Sequence, residues 1–436
     1  FQMIEDTLLV VQPVSNGPSE KIGILAGDRI IAVNDSAIAG VKMSTEEIMK
    51  RLRGPKGSKV NLKIVRRGVQ DPLVFTVKRD KIPILSLDAS YMIQPKTGYI
   101  RINRFGATTA EEFKKAMKEL QKQGMKDMIL DLQGNGGGYL NAAIDLANEF
   151  LGQKELIVYT EGRTAKRSDF YAKGNGEFRN GRLIVLVDEY TASASEIVSG
   201  AVQDWDRGII VGRRSFGKGL VQRPIDLPDG SMIRLTIARY YTPAGRCIQK
   251  PYDSSTDYNK DLIERFNHGE LMNADSIHFP DSLKVQTKKL GRTVYGGGGI
   301  MPDYFVPIDT TLYTDYHRNL VAKGAVIKFT MKFIEGHRKE LANKYKKFES
   351  FNEKFIIDDD MLATLREMGE KEGVKFNEEQ YQKSLPLIKT QLKALIARDL
   401  WDMNEYFRVM NTTNESVQKA LEILNSEEYQ KKLRAN

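Results

Sequence analysis

The apolar and polar positions in the middle of the chain predict an alternation of strands and helices. Leu183–Val187 is an uninterrupted run of β-branched and aliphatic residues, which is typical of a strand buried on both faces. A polar turn over residues 188–192 follows, and small residues from Ser193 onward then precede an apolar stripe with helical spacing. Residues 209–211 and 220–222 predict two further strands separated by a glycine-rich loop. This order is typical of an α/β layer.

The pattern on either side of this stretch predicts a multidomain chain of α/β and α+β class. Residues 1–79 contain, around residues 23–34, a turn and strand that resemble those of a PDZ domain. Residues 80–310 alternate strands and helices and include a polar insert at about 250–290. Residues 311–436 carry helical apolar stripes among many Lys and Glu residues, which predicts a C-terminal helical domain. Those stripes fit core packing, and a dimerisation surface that would make a homo-oligomer is the alternative.

Three side chains of the central stretch are candidates for nucleophilic catalysis. Ser193 lies at a strand-to-helix turn, where backbone N–H groups converge and stabilise a neighbouring anion. Lys218 lies between two glycines and two strands, a setting that favours an uncharged, desolvated amine. Gln222 follows four residues later and is expected to project from the same face of a strand. We interpret the three as nucleophile, general base and orienter.

Two other interpretations fit parts of this stretch. Residues 212–218 nearly match a phosphate-binding loop, which would indicate a nucleotide-dependent protein. That motif needs Ser or Thr after the lysine and then a helix, whereas Gly219 and a predicted strand follow here. The other interpretation is purely structural: Ser193 caps a helix and Lys218 is a solvated loop charge.

Composition and charge exclude several classes of function. The chain of 436 residues is 41% hydrophobic and 28% charged, which is ordinary globular material for about two to four domains. Its net charge is +9, but the basic residues are dispersed among 57 acidic ones, so no nucleic-acid partner is expected. One cysteine and no histidine or carboxylate cluster at metal spacing predict no metal and no cofactor. No apolar run is long enough to span a membrane, and any signal segment would precede Phe1.

Five blocks of the sequence, taken in order, resemble one family of peptidases. The blocks are Asp131–Gly138 (DLQGNGGG), Thr191–Ile197 (TASASEI), Phe216–Gln222 (FGKGLVQ), Tyr240–Arg246 (YYTPAGR) and Gly296–Asp303 (GGGGIMPD). They are similar to the carboxy-terminal processing (tail-specific) peptidases, which are PDZ-bearing serine proteases with a Ser–Lys catalytic pair. The resemblance covers roughly residues 1–310 and implies a crotonase- or ClpP-like α/β protease core.

The resemblance also implies roles for individual residues. The spacing of serine and lysine in the family fits 218 − 193 = 25, which selects Ser193 over Ser195. It implies oxyanion-hole amides at Ala194 and Gly137, and a supporting role for Asp204. The sequence departs from the usual family residues at positions that are not proposed catalytic groups, namely Gln133, Gly136, Ala244 and Cys247.

The activity implied is serine endoproteolysis near the C-termini of protein or peptide substrates. The PDZ domain would recognise the tail and could gate activity, and the location implied is the bacterial cell envelope, in the periplasm. The four histidines lie beyond the core blocks, so the lysine stays the predicted base: His268, His278, His317 and His337. A catalytically idle PDZ scaffold, or pseudo-protease, is the alternative.

Overall fold

The computed structural model of this chain describes residues 1–4, 6–14, 17–82, 84–251 and 260–434. Residues 252–259, which belong to the predicted polar insert, lie outside that range. The strands are β1 (Gln2–Ile4), β2 (Thr7–Leu9), β3 (Arg29–Val33), β4 (Ser36–Ala37), β5 (Lys59–Val65), β6 (Leu73–Lys78), β7 (Leu87–Gln94), β8 (Thr97–Ile102), β9 (Asp127–Asp131), β10 (Leu156–Glu161), β11 (Ser168–Tyr171), β12 (Leu183–Val187), β13 (Ile209–Gly212), β14 (Leu220–Asp226), β15 (Met232–Tyr241), β16 (Lys284–Gln286), β17 (Thr293–Tyr295) and β18 (Tyr304–Phe305).

The α-helices are distributed unevenly. Those after residue 310 follow one another with no strand between them in the described part of the chain. They are α1 (Pro18–Lys21), α2 (Thr45–Leu52), α3 (Thr109–Lys122), α4 (Leu140–Asn148), α5 (Ala194–Asp204), α6 (Asp261–Asn267), α7 (Asp315–Ala322), α8 (Ala325–Lys344), α9 (Phe348–Lys354), α10 (Asp359–Lys371), α11 (Glu378–Leu400), α12 (Met403–Met410), α13 (Glu415–Asn425) and α14 (Glu428–Lys432). Within the part of the chain that the structure describes, no helix is both long and apolar enough to cross a membrane.

The chain forms two compact units, each built from two separate segments. The first unit contains Phe1–Ile84 and Thr310–Met410, and the second contains Leu85–Asp309 and Asn411–Asn436. The segment predicted as one helical domain, residues 311–436, is therefore shared between the units. Its last part is held in the second unit by specific contacts, because the Leu183 N–H donates to the Tyr429 hydroxyl at 2.9 Å.

The first unit contains an antiparallel sheet and a set of helices. The sheet has the order β1-β2-β3-β5-β6, with β4 paired to β3. Helix α2 starts at Thr45 because Ser44 and Glu47 cap its N-terminus reciprocally, each side chain accepting the backbone N–H of the other residue. Helices α7 to α12 bury their apolar faces in a separate cluster around Phe351, Leu392 and Ile396. The strand predicted within residues 23–34 and the helices predicted after residue 310 are confirmed.

The second unit is built on a mainly parallel sheet with the order β18-β13-β12-β9-β8-β7. Strands β8, β9, β12, β13 and β18 are parallel, and β7 pairs antiparallel with β8. All five residues of β12 are fully buried, as their apolar run predicts. Helices α3, α4 and α5 pack their apolar residues into the same cluster as this sheet. The predicted α/β core is therefore confirmed.

A second sheet in the same unit was only partly predicted. It is antiparallel, with the order β11-β10-β15-β14. The strand predicted at residues 220–222 is the first part of β14, which continues to Asp226 and returns as β15. Strand β15 was not predicted, although Ile233, Leu235 and Ile237 alternate with other residues along it.

Candidate active site

Ser193 stands at the junction of β12 and α5 in an unusual backbone conformation. Its φ is 60° and its ψ is −114°, which is uncommon for a residue with a side chain and costs on the order of 1–3 kcal/mol. Its N–H donates to Glu196 Oε2 at 2.7 Å, which holds the turn in place. The serine is partly exposed. A strained strand-to-helix turn that presents a hydroxyl is the arrangement used by nucleophilic serines in α/β hydrolases.

The neighbouring Ser195 is unsuited to the same role. It is fully buried, and its Oγ donates to the carbonyl oxygen of Asn135 at 3.0 Å. A substrate carbonyl cannot reach that oxygen without opening the core. The geometry therefore agrees with the choice of Ser193 over Ser195.

A buried carboxylate, Glu196, connects the serine turn to the lysine loop. Its Oε2 accepts the N–H of Ser193 at 2.7 Å and the N–H of Lys218 at 2.9 Å. Its Oε1 accepts the N–H of Gly217 at 2.7 Å and the hydroxyl of Ser215. Burial raises the pKa of the Glu196 carboxyl above its ordinary value, and the four hydrogen bonds oppose that rise. From the sequence, Glu196 is only a member of the block Thr191–Ile197, and this role was not predicted.

The Lys218 loop is also held from its other side. The N–H of Gly219 donates to Gln249 Oε1 at 2.8 Å, and the N–H of Lys250 donates to the carbonyl of Gly217 at 2.9 Å. The backbone of the loop is thus fixed at three consecutive residues. Such fixation allows the lysine side chain to act from a defined position.

Helix α6, in the predicted polar insert, contacts the segment between β13 and Lys218. The guanidinium of Arg265 is buried and donates to the carbonyls of residues 214 and 215. Burial lowers the pKa of Arg265 to about 10. The insert therefore contributes a structural contact beside the candidate site.

Tyr240 connects the same two candidate residues through its hydroxyl. The hydroxyl lies 2.9 Å from Ser193 Oγ and also donates a hydrogen bond to the carbonyl oxygen of Lys218. Within the described ranges no hydrogen bond joins Lys218 Nζ to Ser193 Oγ directly. The structure therefore brings serine and lysine together through Glu196 and Tyr240. From the sequence, Tyr240 is only the first residue of the block Tyr240–Arg246, and its contact with Ser193 was not predicted.

Gln222 and Lys218 both line one cavity of about 890 Å³. The prediction that they share a strand face is wrong, because Lys218 precedes β14 and the β14–β15 register shifts between Val221 and Gln222. Strand β15 contributes Thr236, Ala238 and Tyr241 to the lining of the cavity.

The glycine turn of residues 136–138 lies directly against Ser193. A Cβ on Gly137 would stand 2.7 Å from Ser193 Cβ and 2.9 Å from the amide nitrogen of Ala194, so only glycine fits. The Gly137 N–H donates to Asn135 Oδ1 at 2.9 Å. Among the described residues the Ala194 N–H has no acceptor. Ala194 thus offers a ready donor beside Ser193, whereas Gly137 would have to share or exchange its present hydrogen bond.

Asp204 lies at the far end of α5 from Ser193. The helix has 11 residues, so the two ends are about 16 Å apart. Asp204 forms a fully buried ion pair with Arg246 and accepts the N–H of Ala244 at 2.8 Å. These contacts fix the turn that follows β15, so the supporting role predicted for Asp204 would act through structure. No group of three or more potential metal ligands occurs among the residues described.

Comparisons with known proteins place the whole arrangement in context. The model of Peptidase family S41 matches residues 96–256, and that of the PDZ domain matches residues 9–66. Residues 316–402 match a family of unknown function (DUF8443). The sheet, the serine turn and these matches define a PDZ-containing serine peptidase of α/β class.

Three relatives of known name support this assignment to a class of peptidase. A probable CtpA-like serine protease of Staphylococcus aureus (strain MRSA252) is 31% identical over 374 residues, which are 84% of this chain and 71% of that protein. The carboxyl-terminal-processing protease of Synechocystis sp. is 40% identical over 248 residues, covering 56% of this chain and 57% of that protein. The carboxy-terminal processing protease CtpB of Bacillus subtilis is 34% identical over 250 residues, covering 57% and 52%.

The chain belongs to peptidase family S41, among the carboxy-terminal processing proteases. The family prediction made from the five sequence blocks is confirmed. The matched region spans 57% of the length of the Synechocystis relative and 52% of that of the Bacillus relative, less than two thirds in each case.

Proposed function

We propose that this chain is a serine endopeptidase in which Ser193 is the nucleophile and Lys218 is the general base. The observation that supports this most directly is the shared carboxylate: Glu196 Oε2 accepts the backbone N–H of both residues. A nucleophile and a base held by one buried group keep a fixed separation, which is what an intramolecular proton transfer requires. The strained conformation of Ser193 adds support, because such strain persists at functional turns.

The proposed reaction begins when neutral Lys218 takes the proton of Ser193 and Oγ attacks the scissile carbonyl carbon. The N–H groups of Ala194 and Gly137 donate to the oxygen of the tetrahedral anion. The Lys218 ammonium then gives its proton to the leaving amine as the C–N bond breaks. A water molecule, deprotonated by Lys218, attacks the acyl-enzyme, and the proton returns to Ser193 as the ester bond breaks.

Gln222 is proposed to orient Lys218 from the wall of the shared cavity. The cavity of about 890 Å³ is large enough for several residues of an extended peptide beside Lys218. We place the cleavage near the C-termini of protein substrates, with the PDZ domain recognising the tail. The names of the relatives and the PDZ match support this part of the proposal.

The decisive experiment is digestion of an unfolded protein by the chain and its single variants. Ser193→Ala and Lys218→Ala are expected to lower the cleavage rate on the order of a millionfold, while circular dichroism stays unchanged. Ser195→Ala is the matched control, because its hydroxyl bonds only inside the core, and it should cleave at nearly the normal rate. Cleavage by the Ser193→Ala protein would refute the assignment.

Two further measurements test the finer parts. Mass spectrometry of the products should find cuts close to substrate C-termini, and amidation of the terminal carboxylate should reduce cleavage if the PDZ domain captures that group. Cell fractionation of the source bacterium tests the proposed envelope location. An idle scaffold would bind tails in the same assay without producing fragments.

A further inference from the structure

The hydroxyl of Tyr240 has two acceptors within reach and only one proton. Ser193 Oγ lies 2.9 Å away, and the carbonyl oxygen of Lys218 accepts a hydrogen bond from the same phenol. A carbonyl oxygen accepts but never donates, whereas the serine hydroxyl does both. Two hydrogen-bond arrangements therefore exist, and they differ in where the serine proton points.

In the first arrangement Tyr240 donates to the carbonyl of Lys218. Ser193 then donates its hydroxyl proton to the phenol oxygen. This proton therefore points away from any base. In the second arrangement Tyr240 donates to Ser193 Oγ. The serine proton is then free to point at Lys218 Nζ, but the carbonyl of Lys218 loses its hydrogen bond from the phenol.

The phenol makes two hydrogen bonds in the first arrangement and one in the second. Tyr240 is almost fully buried, with 4% of its surface exposed, so a lost hydrogen bond at this place is not compensated easily by water. The serine is thus held in an unreactive orientation at rest. Reaction requires the serine proton to turn from the phenol oxygen toward Lys218 Nζ.

We propose that Tyr240 is a positioning residue that keeps the proton of Ser193 away from Lys218 until substrate is bound. This inference depends on the proposed roles of Ser193 and Lys218. The Gly137 N–H, a proposed oxyanion donor, also donates a hydrogen bond within the protein, to Asn135 Oδ1. A second group of the proposed active site is therefore occupied in the same structure.

Strand β15 offers a route from substrate to the phenol. Ala238 and Tyr240 are buried, whereas Arg239 is exposed and Tyr241 is partly exposed, so the strand presents alternate residues to the core and to the outside. Arg239 and Tyr241 line the cavity that also contains Lys218. A peptide in this cavity therefore contacts the residues on both sides of Tyr240 in the sequence. Favourable contacts between the peptide and strand β15 can therefore shift the Tyr240 hydroxyl between its two acceptors.

The test uses the rate at which a fluorophosphonate labels Ser193 of the complete chain without substrate. Tyr240→Phe removes the phenol oxygen and is expected to raise the second-order labelling rate about two- to tenfold, the effect of one hydrogen bond. It should also lower KM with little change in kcat, because substrate binding no longer has to displace the phenol, whereas simple loss of structure would lower kcat. Tyr171→Phe is the control, since among the described residues that exposed hydroxyl bonds to Asp169 alone, and its labelling rate should not change.

A folded Tyr240→Phe protein that is labelled at the normal rate or more slowly would overturn the proposal. If this variant does not fold, the labelling rate is measured with 3-fluorotyrosine at position 240. This residue keeps the shape of tyrosine, but its oxygen is a weaker acceptor for the serine proton, so faster labelling is again expected. No labelling of the unaltered protein, or labelling that survives Ser193→Ala, would instead refute the proposed function. The two failures are therefore distinguishable.

Discussion

Glu196 and Lys218 are joined by a hydrogen bond between the carboxylate Oε2 and the backbone N–H, at 2.9 Å and 22 residues apart in sequence. The same oxygen accepts the N–H of Ser193. The helix that begins after the serine thus carries, one turn later, the group that holds the lysine loop. Displacement of this carboxylate would move both partners relative to each other.

Glu196→Gln is expected to lower kcat about ten- to hundredfold with a smaller effect on KM. The amide keeps the size of the side chain, but its NH₂ group faces donors and cannot accept their hydrogen bonds, each worth about 1.5–3 kcal/mol when the acceptor is charged. Steady-state kinetics on a peptide substrate measure the effect. An unchanged kcat would show that the serine and lysine hold their positions without the carboxylate.

Gly137→Ala is expected to reduce kcat by about two to three powers of ten, the usual cost of a lost oxyanion donor. The added methyl group would lie 2.7 Å from Ser193 Cβ and from the carbonyl oxygen of Ala192, and φ is +95°. Gly136→Ala is the matched control, because no atom lies within 4 Å of its added methyl group. Equal activity of the two variants would remove the glycine turn from the proposed site.

Asp204→Ala is expected to destabilise the second unit by about 3–5 kcal/mol, because Arg246 would stay buried without its partner. Replacing both residues, Asp204→Leu with Arg246→Met, should cost much less, because neither buried charge is left alone. Urea unfolding measures both. If Asp204→Ala kept normal stability yet lost cleavage, the aspartate would act in the chemistry and not through the fold.

The pH dependence of the first unit should reflect Glu405 in α12. Burial, followed by the neighbouring Asp402 carboxyl, raises the pKa of Glu405 from 4.5 to about 7. The folded chain therefore binds this proton more tightly than the unfolded chain. The contribution to stability is complete below about pH 4.5 and is lost as the pH rises through about 7.

Thermal unfolding at a series of pH values, with Glu405→Gln as the comparison, tests this expectation. The variant keeps a neutral side chain at every pH, so its melting temperature should fall less between about pH 5 and pH 8 than that of the unaltered protein. Parallel curves for the two proteins would contradict it.

The elements that follow from local pattern were predictable from the sequence. The buried strand β12 and the apolar stripe of α5 depend on residues that are close together in the chain, and both are present. Glu196 had a local signal as well, since a serine followed three residues later by glutamate is the pattern of a helix N-terminus. The local pattern does not predict that the same carboxylate also accepts a hydrogen bond from the backbone of Lys218, 22 residues away.

Contacts between distant segments account for the remaining differences. Tyr240 meets Ser193 across 47 residues, and no periodicity connects them. The alternation used to align Gln222 with Lys218 does not hold, because a strand period applies only inside a strand, and a register shift interrupts β14. The grouping of Asn411–Asn436 with the second unit likewise depends on long-range packing and not on helical pattern.

That grouping has a consequence for biosynthesis. Helices α13 and α14 complete the unit that holds Ser193, and Ile423 and Leu424 are buried in it. A ribosome that has translated the chain only as far as Met410 has not yet delivered this part of the unit. Domains fold as they emerge during translation, so the surroundings of Ser193 are completed only after the segment beyond Met410 has been made. The order of the segments thereby places the whole second part of the first unit before the completion of the second unit.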